Sequence, residues 1–137
     1  IRLYEKKLAY CTGRRSCIFT GRCVIEDDIQ EIASLLKTCD RVVLAAPTYN
    51  GGLYPAMEHV LLDMKALNLQ NRTIALLDNG SWASTAAKHM RSILESMKNM
   101  TILETSVSLK SALKDEQEDV LKALAGEIAD GVLNTQK

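Results

Sequence analysis

Residues 41–52 read RVVLAAPTYNGG, a continuous apolar run that passes into a glycine-rich turn. An uninterrupted apolar run is typical of a parallel strand that is buried on both faces of a sheet. We expect this strand to end at Pro47 and the next helix to begin at Pro55, since proline is favoured at the first helical position. Residues 72–77 (RTIALL) repeat the pattern and lead into the loop at 78–81 (DNGS). Together the two runs predict an α/β fold with a parallel sheet.

The rest of the chain alternates between short strands and amphipathic helices. A third strand is predicted within residues 101–109, residues 1–4 are a further candidate, and residues 11–26 are predicted to be a loop. Four helices are predicted, with these inward-facing residues: Ile29, Ile32, Ala33 and Leu36 near 28–38; Met57, Val60, Leu61 and Met64 from 55 onward; Ala86, Ala87, Met90, Ile93, Leu94 and Met97 near 83–98; Val120, Leu121, Leu124, Ile128 and Val132 at the end. This βα order implies right-handed crossovers between parallel strands.

The bulk composition is that of a soluble globular domain. The chain has 137 residues, 47% of them hydrophobic and 25% charged. No apolar run approaches the ~20 residues that a membrane-spanning helix needs. The formal net charge of +0 gives no reason to expect a nucleic acid or a membrane surface as partner. The sequence therefore predicts one domain, residues 1–137, with neither of these partners.

The N-terminal residues differ from the rest in charge and in cysteine content. Residues 1–25 carry six lysines and arginines against one glutamate, so the remaining residues have a net charge of −5. This basic segment either meets a nucleotide phosphate or an acidic redox partner, or is a solvated face. We expect the four cysteines to be reduced thiols in a cytoplasmic protein, because a chain of this length does not need disulfides: Cys11, Cys17, Cys23 and Cys39.

Two loops with unusual composition follow the predicted strands. In open parallel sheets, ligands bind outside the carboxyl ends of the strands. Glycines let the backbone approach a flat ligand, and exposed aromatic rings can stack on it. Tyr49 and Trp82 would be such rings, although each is also explained by ordinary packing at a loop. The candidate binding residues are Pro47, Thr48, Tyr49, Asn50, Gly51 and Gly52 in the first loop, and Asn79, Gly80, Ser81 and Trp82 in the second.

Other kinds of site have little support in the sequence. No G-x-G-x-x-G follows a strand, so a dinucleotide fingerprint is not present. His59 and His89 lie within predicted helices without partners at metal-ligand spacing, and Ser81 is not in a G-x-S-x-G turn. We therefore predict no catalytic residue and no metal ligand.

Residues 41–133 resemble the C-terminal flavodoxin-like domain of flavodiiron proteins. The shared stretches are PTYNGG at 47–52, NLQNRT at 68–73, NGSWA at 79–83, MKNMT at 97–101 and SLKS at 108–111. The resemblance implies a flavodoxin-like three-layer sandwich that binds FMN. By the same resemblance, the flavin would contact Thr48, Tyr49, Asn50 and Gly51 on one side, and Asn79, Gly80, Ser81 and Trp82 on the other.

Residues 1–40 resemble a different group, the NAD(P)H-dependent FMN reductases and the iron–sulfur flavoproteins. The similarity lies in residues 11–28, CTGRRSCIFTGRCVIEDD. In the cluster-binding proteins this loop reads C-x-x-C-x-x-C and is followed by a fourth cysteine. Here Arg14 occupies the second cysteine position and cannot bind iron, and Cys39 is predicted at the start of a buried strand. We therefore expect no iron–sulfur cluster.

The resemblance also implies a strand, a phosphate-binding loop and a helix at the start of the domain. Such a unit takes ~30 residues, and nothing before Ile1 supplies it. The family's sheet order would place that strand at the centre. The first strand and the phosphate loop are therefore expected to be missing, which leaves the domain N-terminally incomplete.

Three functions remain open at this point. The leading hypothesis is an FMN-binding electron-transfer domain, whose partners by resemblance are a redox protein such as rubredoxin or NAD(P)H. The second is an NAD(P)H-dependent FMN or quinone reductase, and the third is a cofactor-free scaffold for protein interaction. Relatives of this kind are commonly dimers or larger, so we expect a homo-oligomer.

Overall fold

The computed structural model describes residues 1–135. Its elements in chain order are a short 3-10 helix (Leu3–Glu5), α1 (Ser16–Thr20), α2 (Ile29–Thr38), β1 (Arg41–Tyr49), β2 (Gly52–Leu53), α3 (Pro55–Ala66), β3 (Arg72–Asn79), α4 (Ala86–Glu95), β4 (Met100–Leu109) and α5 (Asp115–Thr135). Within this part of the chain no helix has the length and apolarity needed to span a bilayer.

The four strands form one sheet in the order β2-β1-β3-β4. The long strands β1, β3 and β4 are parallel, as predicted, and their carboxyl ends meet at one edge. Leu44 lies opposite Leu76, and Pro47 lies opposite Asn79. The two-residue strand β2 was not predicted; it folds back antiparallel onto the end of β1.

The N-terminal segment differs from its prediction. Residues 1–4 are not a strand, because Glu5 and Lys6 donate backbone hydrogen bonds to the carbonyls of Arg2 and Leu3, at 3.1 and 3.2 Å, and close a helical turn. The predicted loop at 11–26 contains the short helix α1.

Two adjacent carboxylates fasten this segment to the start of α2. The backbone N–H of Lys7 donates to Asp28 Oδ2, and that of Ala9 donates to Asp27 Oδ2, both at 2.7 Å. The other oxygen of Asp27 accepts from the N–H of Ile29 at 3.1 Å. Asp27 therefore satisfies a free donor in the first turn of the helix, while both carboxylates also hold the preceding chain.

Helices cover both faces of the sheet and make three layers. On one face, α2, α3 and α4 pack against β1 and β3 around Leu61, Ile74 and Leu76, each with no exposed surface. On the other face, Leu124 of α5 packs against Ala75 and Val107. The predicted three-layer arrangement around a parallel sheet is confirmed.

The predicted helical faces are largely correct. All four inward residues predicted for α3 are buried, and Pro55 begins the helix. The helix predicted near 83–98 is shorter at both ends and spans Ala86–Glu95. It begins later than predicted because the loop after β3 continues to Thr85. In α5, Val120 and Val132 are exposed rather than buried. The helix meets the sheet through a narrower stripe than predicted, made of Leu121, Leu124 and Ile128.

The strand β1 departs from its prediction in two respects. It continues past Pro47 to Tyr49, and it alternates between buried and exposed residues instead of being buried on both faces. Leu44 and Ala46 are buried, whereas 52% of Val43 is exposed, because α5 packs mainly on β4 and β3 and does not cover Val43. Along its edge away from β3, β1 has no strand partner from Val42 to Pro47 among residues 1–135. A groove of about 580 Å³ runs between this edge, α2 and the N-terminal residues.

Candidate functional site

The loops after β1 and β3 lie side by side and are joined through the start of α4. Thr48 Oγ1 accepts hydrogen bonds from the backbone N–H groups of Thr85, at 2.9 Å, and Ala86, at 3.2 Å. In return, the hydroxyl of Thr85 donates to the carbonyl of Gly51 at 3.1 Å. Thr85 has no side-chain bond that caps its own helix, so Thr48 satisfies the free donors of α4 from the neighbouring strand. These bonds fix the position of one loop relative to the other.

The first loop is a tight hairpin between β1 and β2. Asn50 and Gly51 both have positive φ, 51° and 76°, as the two central residues of a type I′ turn require. A Cβ added at Gly51 would meet no atom within 4 Å, so the outer side of the turn is open. The preceding residue, Tyr49, has 59% of its surface exposed. The hairpin therefore presents an aromatic ring and open backbone at the edge of the sheet.

The second loop is shaped by close contact at Gly80. Its N–H donates to the carbonyl of Leu109 at 3.0 Å, and a Cβ added there would lie 2.5 Å from the carbonyl oxygen of Ala83. Only glycine fits this approach of two backbone segments. The chain then turns outward, and Trp82 is 96% exposed.

A third loop, after β4, supports the second and was not predicted as part of the site. Asn79 Nδ2 donates to the carbonyl of Ser111 at 2.8 Å, and the N–H of Ser111 donates to Asn79 Oδ1 at 3.1 Å. The Ser111 hydroxyl donates to Ser81 Oγ at 3.2 Å, and Ser84 Oγ donates to the carbonyl of Leu109 at 2.9 Å. The amide of Asn79 thus holds the loop, so a ligand would meet this residue through its backbone. The only signal in the sequence was the SLKS stretch at 108–111.

A buried carboxylate lies beneath the site. Asp78 is 3% exposed, and its Oδ2 accepts from the N–H of Ala87 in the first turn of α4, at 3.0 Å. The partial positive charge at a helix N-terminus favours an anion in this position. Within the described residues, Asp78 Oδ1 has no hydrogen-bond partner.

The two histidines lie outside these loops. In α3, His59 Nε2 lies 3.0 Å from Asp63 Oδ2. The ring of Tyr10 stacks on the His59 ring, with the two centroids 6.1 Å apart. Partial burial raises the pKa of the Asp63 carboxyl, while the adjacent His59 opposes this effect. Among residues 1–135 no group of three or more histidine, cysteine or acidic side chains is placed to hold a metal ion.

The arrangement is suited to binding rather than to proton chemistry. The loops offer two exposed aromatic rings, open glycine backbone and a rigid hydrogen-bonded base, and none of the ten predicted residues is titratable except Tyr49. Planar ligands with polar ring edges fit such a surface, since rings can stack and backbone N–H groups can hydrogen-bond the heteroatoms.

The sequence profile of the NADPH-dependent FMN reductase family matches residues 1–114. The chain belongs to this family. The match extends beyond residues 1–40, where the sequence resembles FMN reductases, and covers β1, β3, β4 and both loops.

Curated relatives of this FMN reductase family member are iron–sulfur flavoproteins. One from Archaeoglobus fulgidus is 41% identical over 49 residues, which are 36% of this chain and 22% of that protein. One from Methanosarcina thermophila is 35% identical over 72 residues, 53% of this chain and 37% of the relative. The chain thus spans well under half the length of the curated relatives that it matches.

Solved structures with the same fold include a flavodiiron protein and a flavodoxin. The rubredoxin oxygen:oxidoreductase of Desulfovibrio gigas has a TM-score of 0.70 at 24% identity, over 77% of this chain and 26% of that one. The flavodiiron protein of Giardia intestinalis has a TM-score of 0.62 at 19% identity, covering 72% and 24%. A flavodoxin from the domain Archaea has a TM-score of 0.61 at 20% identity, covering 71% and 68%. These likenesses confirm the fold.

FMN is the cofactor that the family's name implies, and the described residues fit one part of it. The open turn at Gly51 and the exposed rings of Tyr49 and Trp82 suit the flat isoalloxazine ring. No strand, phosphate loop and helix of the implied kind precede β1 within residues 1–135. The described residues therefore fit the isoalloxazine ring of the cofactor.

Proposed function

We propose that this chain is an FMN-binding electron-transfer domain that holds the isoalloxazine ring at the edge of its parallel sheet. One observation carries the proposal: in a member of the FMN reductase family, two glycine-shaped loops are fixed to each other by the Thr48–Thr85 hydrogen bond. Each of the loops presents an exposed aromatic ring. This edge is where open α/β sheets bind their ligands.

The residues of the two loops would make two kinds of contact with the flavin, ring stacking and backbone hydrogen bonds. Tyr49 and Trp82 would stack on the ring and keep water from its faces. Backbone N–H groups would hydrogen-bond its polar edge, which glycines allow to come close. The full set is Pro47, Thr48, Tyr49, Asn50, Gly51 and Gly52 in one loop, and Asn79, Gly80, Ser81 and Trp82 in the other. When bound, FMN would supply the redox chemistry of the domain.

The proposed domain could have either of two roles, an electron carrier or a reductase, which differ in the electron donor. A pure carrier would exchange electrons with a redox protein, as the flavodoxin-like fold allows. An NAD(P)H-dependent FMN or quinone reductase would take them from NAD(P)H, and the family's description favours this second form. We also propose that the protein is cytoplasmic and forms a homo-oligomer.

A spectrum and an activity assay test the proposal. The purified chain is incubated with FMN, passed through a desalting column and examined for flavin absorption. Retained flavin supports the site, and subsequent oxidation of NADPH with a quinone acceptor supports the reductase form. Retained flavin without NADPH oxidation supports the carrier. Absence of retained flavin, together with absence of any effect of FMN on thermal unfolding, overturns the proposal in favour of a cofactor-free scaffold.

A further inference from the structure

The cysteine-containing loop does not fit the cluster that the names of the iron–sulfur relatives imply. Arg14 occupies a position where the resemblance places a ligand, and a guanidinium carries no lone pair for iron. In the part of the chain that the structure describes, no three metal-binding side chains converge. The cysteines Cys11, Cys17 and Cys23 nevertheless lie along one cavity.

Cys17 and Cys23 form the wall between two cavities. One of about 320 Å³ lies between the loop, α2 and α3, and one of about 20 Å³ lies on the side of Cys11 and Arg14. Cys17 and Cys23 are the two residues that line both cavities. Each is a free thiol and partly buried, whereas Cys11 and Cys39 are exposed. Both partly buried cysteines therefore border the same two cavities.

The backbone around both cysteines is held in place. Helix α1 ends at Thr20 and is followed by Gly21, whose φ of 66° reverses the chain and whose N–H donates to the carbonyl of Cys17 at 2.8 Å. From α2, Lys37 Nζ donates to the carbonyl of Gly21, and Gln30 Nε2 donates to the carbonyl of Cys23, both at 2.5 Å. The chain therefore reverses between residues 17 and 23, and the bonds from α2 hold the backbone at Gly21 and at Cys23.

The larger cavity also indicates a class of co-reactant. Its lining includes the cations of Arg22 and Lys37, together with the Asp63 carboxyl. Two cations against one acid favour a small molecule that carries carboxylates. A low-molecular-weight disulfide with carboxylate groups has the charge and the chemistry to enter and react with a thiol there.

We propose that Cys17 and Cys23 are a redox-active thiol pair that forms an intramolecular disulfide by exchange with such a small disulfide. One thiolate attacks the disulfide and releases the first small thiol, leaving a mixed disulfide. The second thiolate displaces the second small thiol, and the Cys17–Cys23 bond forms. The cysteines lose two electrons and two protons, and the small disulfide gains them as two thiols. Flavin binding has no part in this reaction.

Thiol mapping of the full chain tests the proposal. The reduced protein is equilibrated with mixtures of oxidised and reduced glutathione, alkylated and digested without reductant. We expect two thiols to disappear together and a Cys17–Cys23 linked peptide to appear, reversibly. Cys17→Ser and Cys23→Ser should each stop at a glutathione adduct, while the control variants Cys11→Ser and Cys39→Ser should still form the link.

Two results would overturn the proposal. The first is a wild-type protein that keeps all four thiols, or links other cysteines, throughout the glutathione series; this readout needs no variant to fold. The second is stoichiometric retention of iron and sulfide after anaerobic reconstitution of the wild-type chain, which would assign the cysteines to a cluster. We expect no retained iron.

Discussion

Thr48 Oγ1 lies 2.9 Å from the backbone nitrogen of Thr85 and accepts its hydrogen bond, although the two residues are 37 positions apart. Thr48 is the penultimate residue of β1, and Thr85 precedes α4. The hydroxyl of a residue in β1 thus caps α4, the helix that follows the neighbouring strand β3. Because the bond joins the two loops of the proposed flavin site, the stability of the fold and the geometry of the site depend on the same contact.

Replacing Thr48 with valine removes this cap while keeping the shape of the side chain. The N–H groups of Thr85 and Ala86 then lose their acceptor. We expect the free energy of unfolding to fall by about 0.5–2 kcal/mol, as it does for other lost helix caps. Urea unfolding of Thr48→Val measures the loss. Thr48→Ser keeps the hydroxyl and should retain most of the stability; equal losses in both variants would contradict the assigned bond.

Gly80→Ala should be strongly unfavourable. The added Cβ would lie 2.5 Å from the carbonyl oxygen of Ala83, so backbone must move and the second loop must shift. Overpacking of this kind costs about 1–3 kcal/mol. The matched control is Gly126→Ala in α5, where a Cβ meets nothing within 4 Å and alanine should be neutral or stabilising by up to about 1 kcal/mol. Thermal unfolding compares them, and a neutral Gly80→Ala would refute the close approach.

The Asp63 carboxyl should make stability depend on pH. Its pKa is raised above 3.8 mainly by burial, so the folded protein binds this proton more tightly than the unfolded chain does. The resulting stabilisation is complete below 3.8 and is lost as the pH rises through the folded pKa. Asp63→Asn lacks this titration, so its stability relative to wild type should improve as pH rises over that interval. Urea unfolding of both proteins at several pH values above 3.8 measures this change. A difference in unfolding free energy between wild type and Asp63→Asn that stays constant with pH would contradict the raised pKa.

Hydrophobic periodicity and apolar runs predicted the helices and strands whose burial depends only on their own residues. The period of α3 identified its four buried residues, and the apolar run of β3 identified a strand that is buried on both faces. The same rule failed for β1, because the exposure of Val43 depends on which distant helix lies above it. An apolar run cannot specify that neighbour.

The sequence predicts which residues compose the candidate site, but it does not predict the contacts that hold them in place. Tyr49, Trp82 and the glycines are visible as loop residues after strands. The bonds from Thr85 to Thr48 and from Ser111 to Asn79 join residues more than 30 positions apart. No local pattern encodes such a pairing, and Asn79 consequently has a structural bond where a ligand contact was predicted.

The most direct test of the flavin proposal is a titration of tryptophan fluorescence with FMN, because Trp82 is the sole tryptophan of the chain. A ring stacked on Trp82 should quench its emission in a saturable manner. Tyr49→Ala should raise the dissociation constant about 2- to 12-fold, the range expected for one aromatic contact. The control variant Phe19→Ala removes an aromatic ring that is 90% exposed and lies outside the site. It should leave the dissociation constant for FMN unchanged. Emission that falls only in proportion to added FMN, without saturation, would contradict a flavin site at these loops.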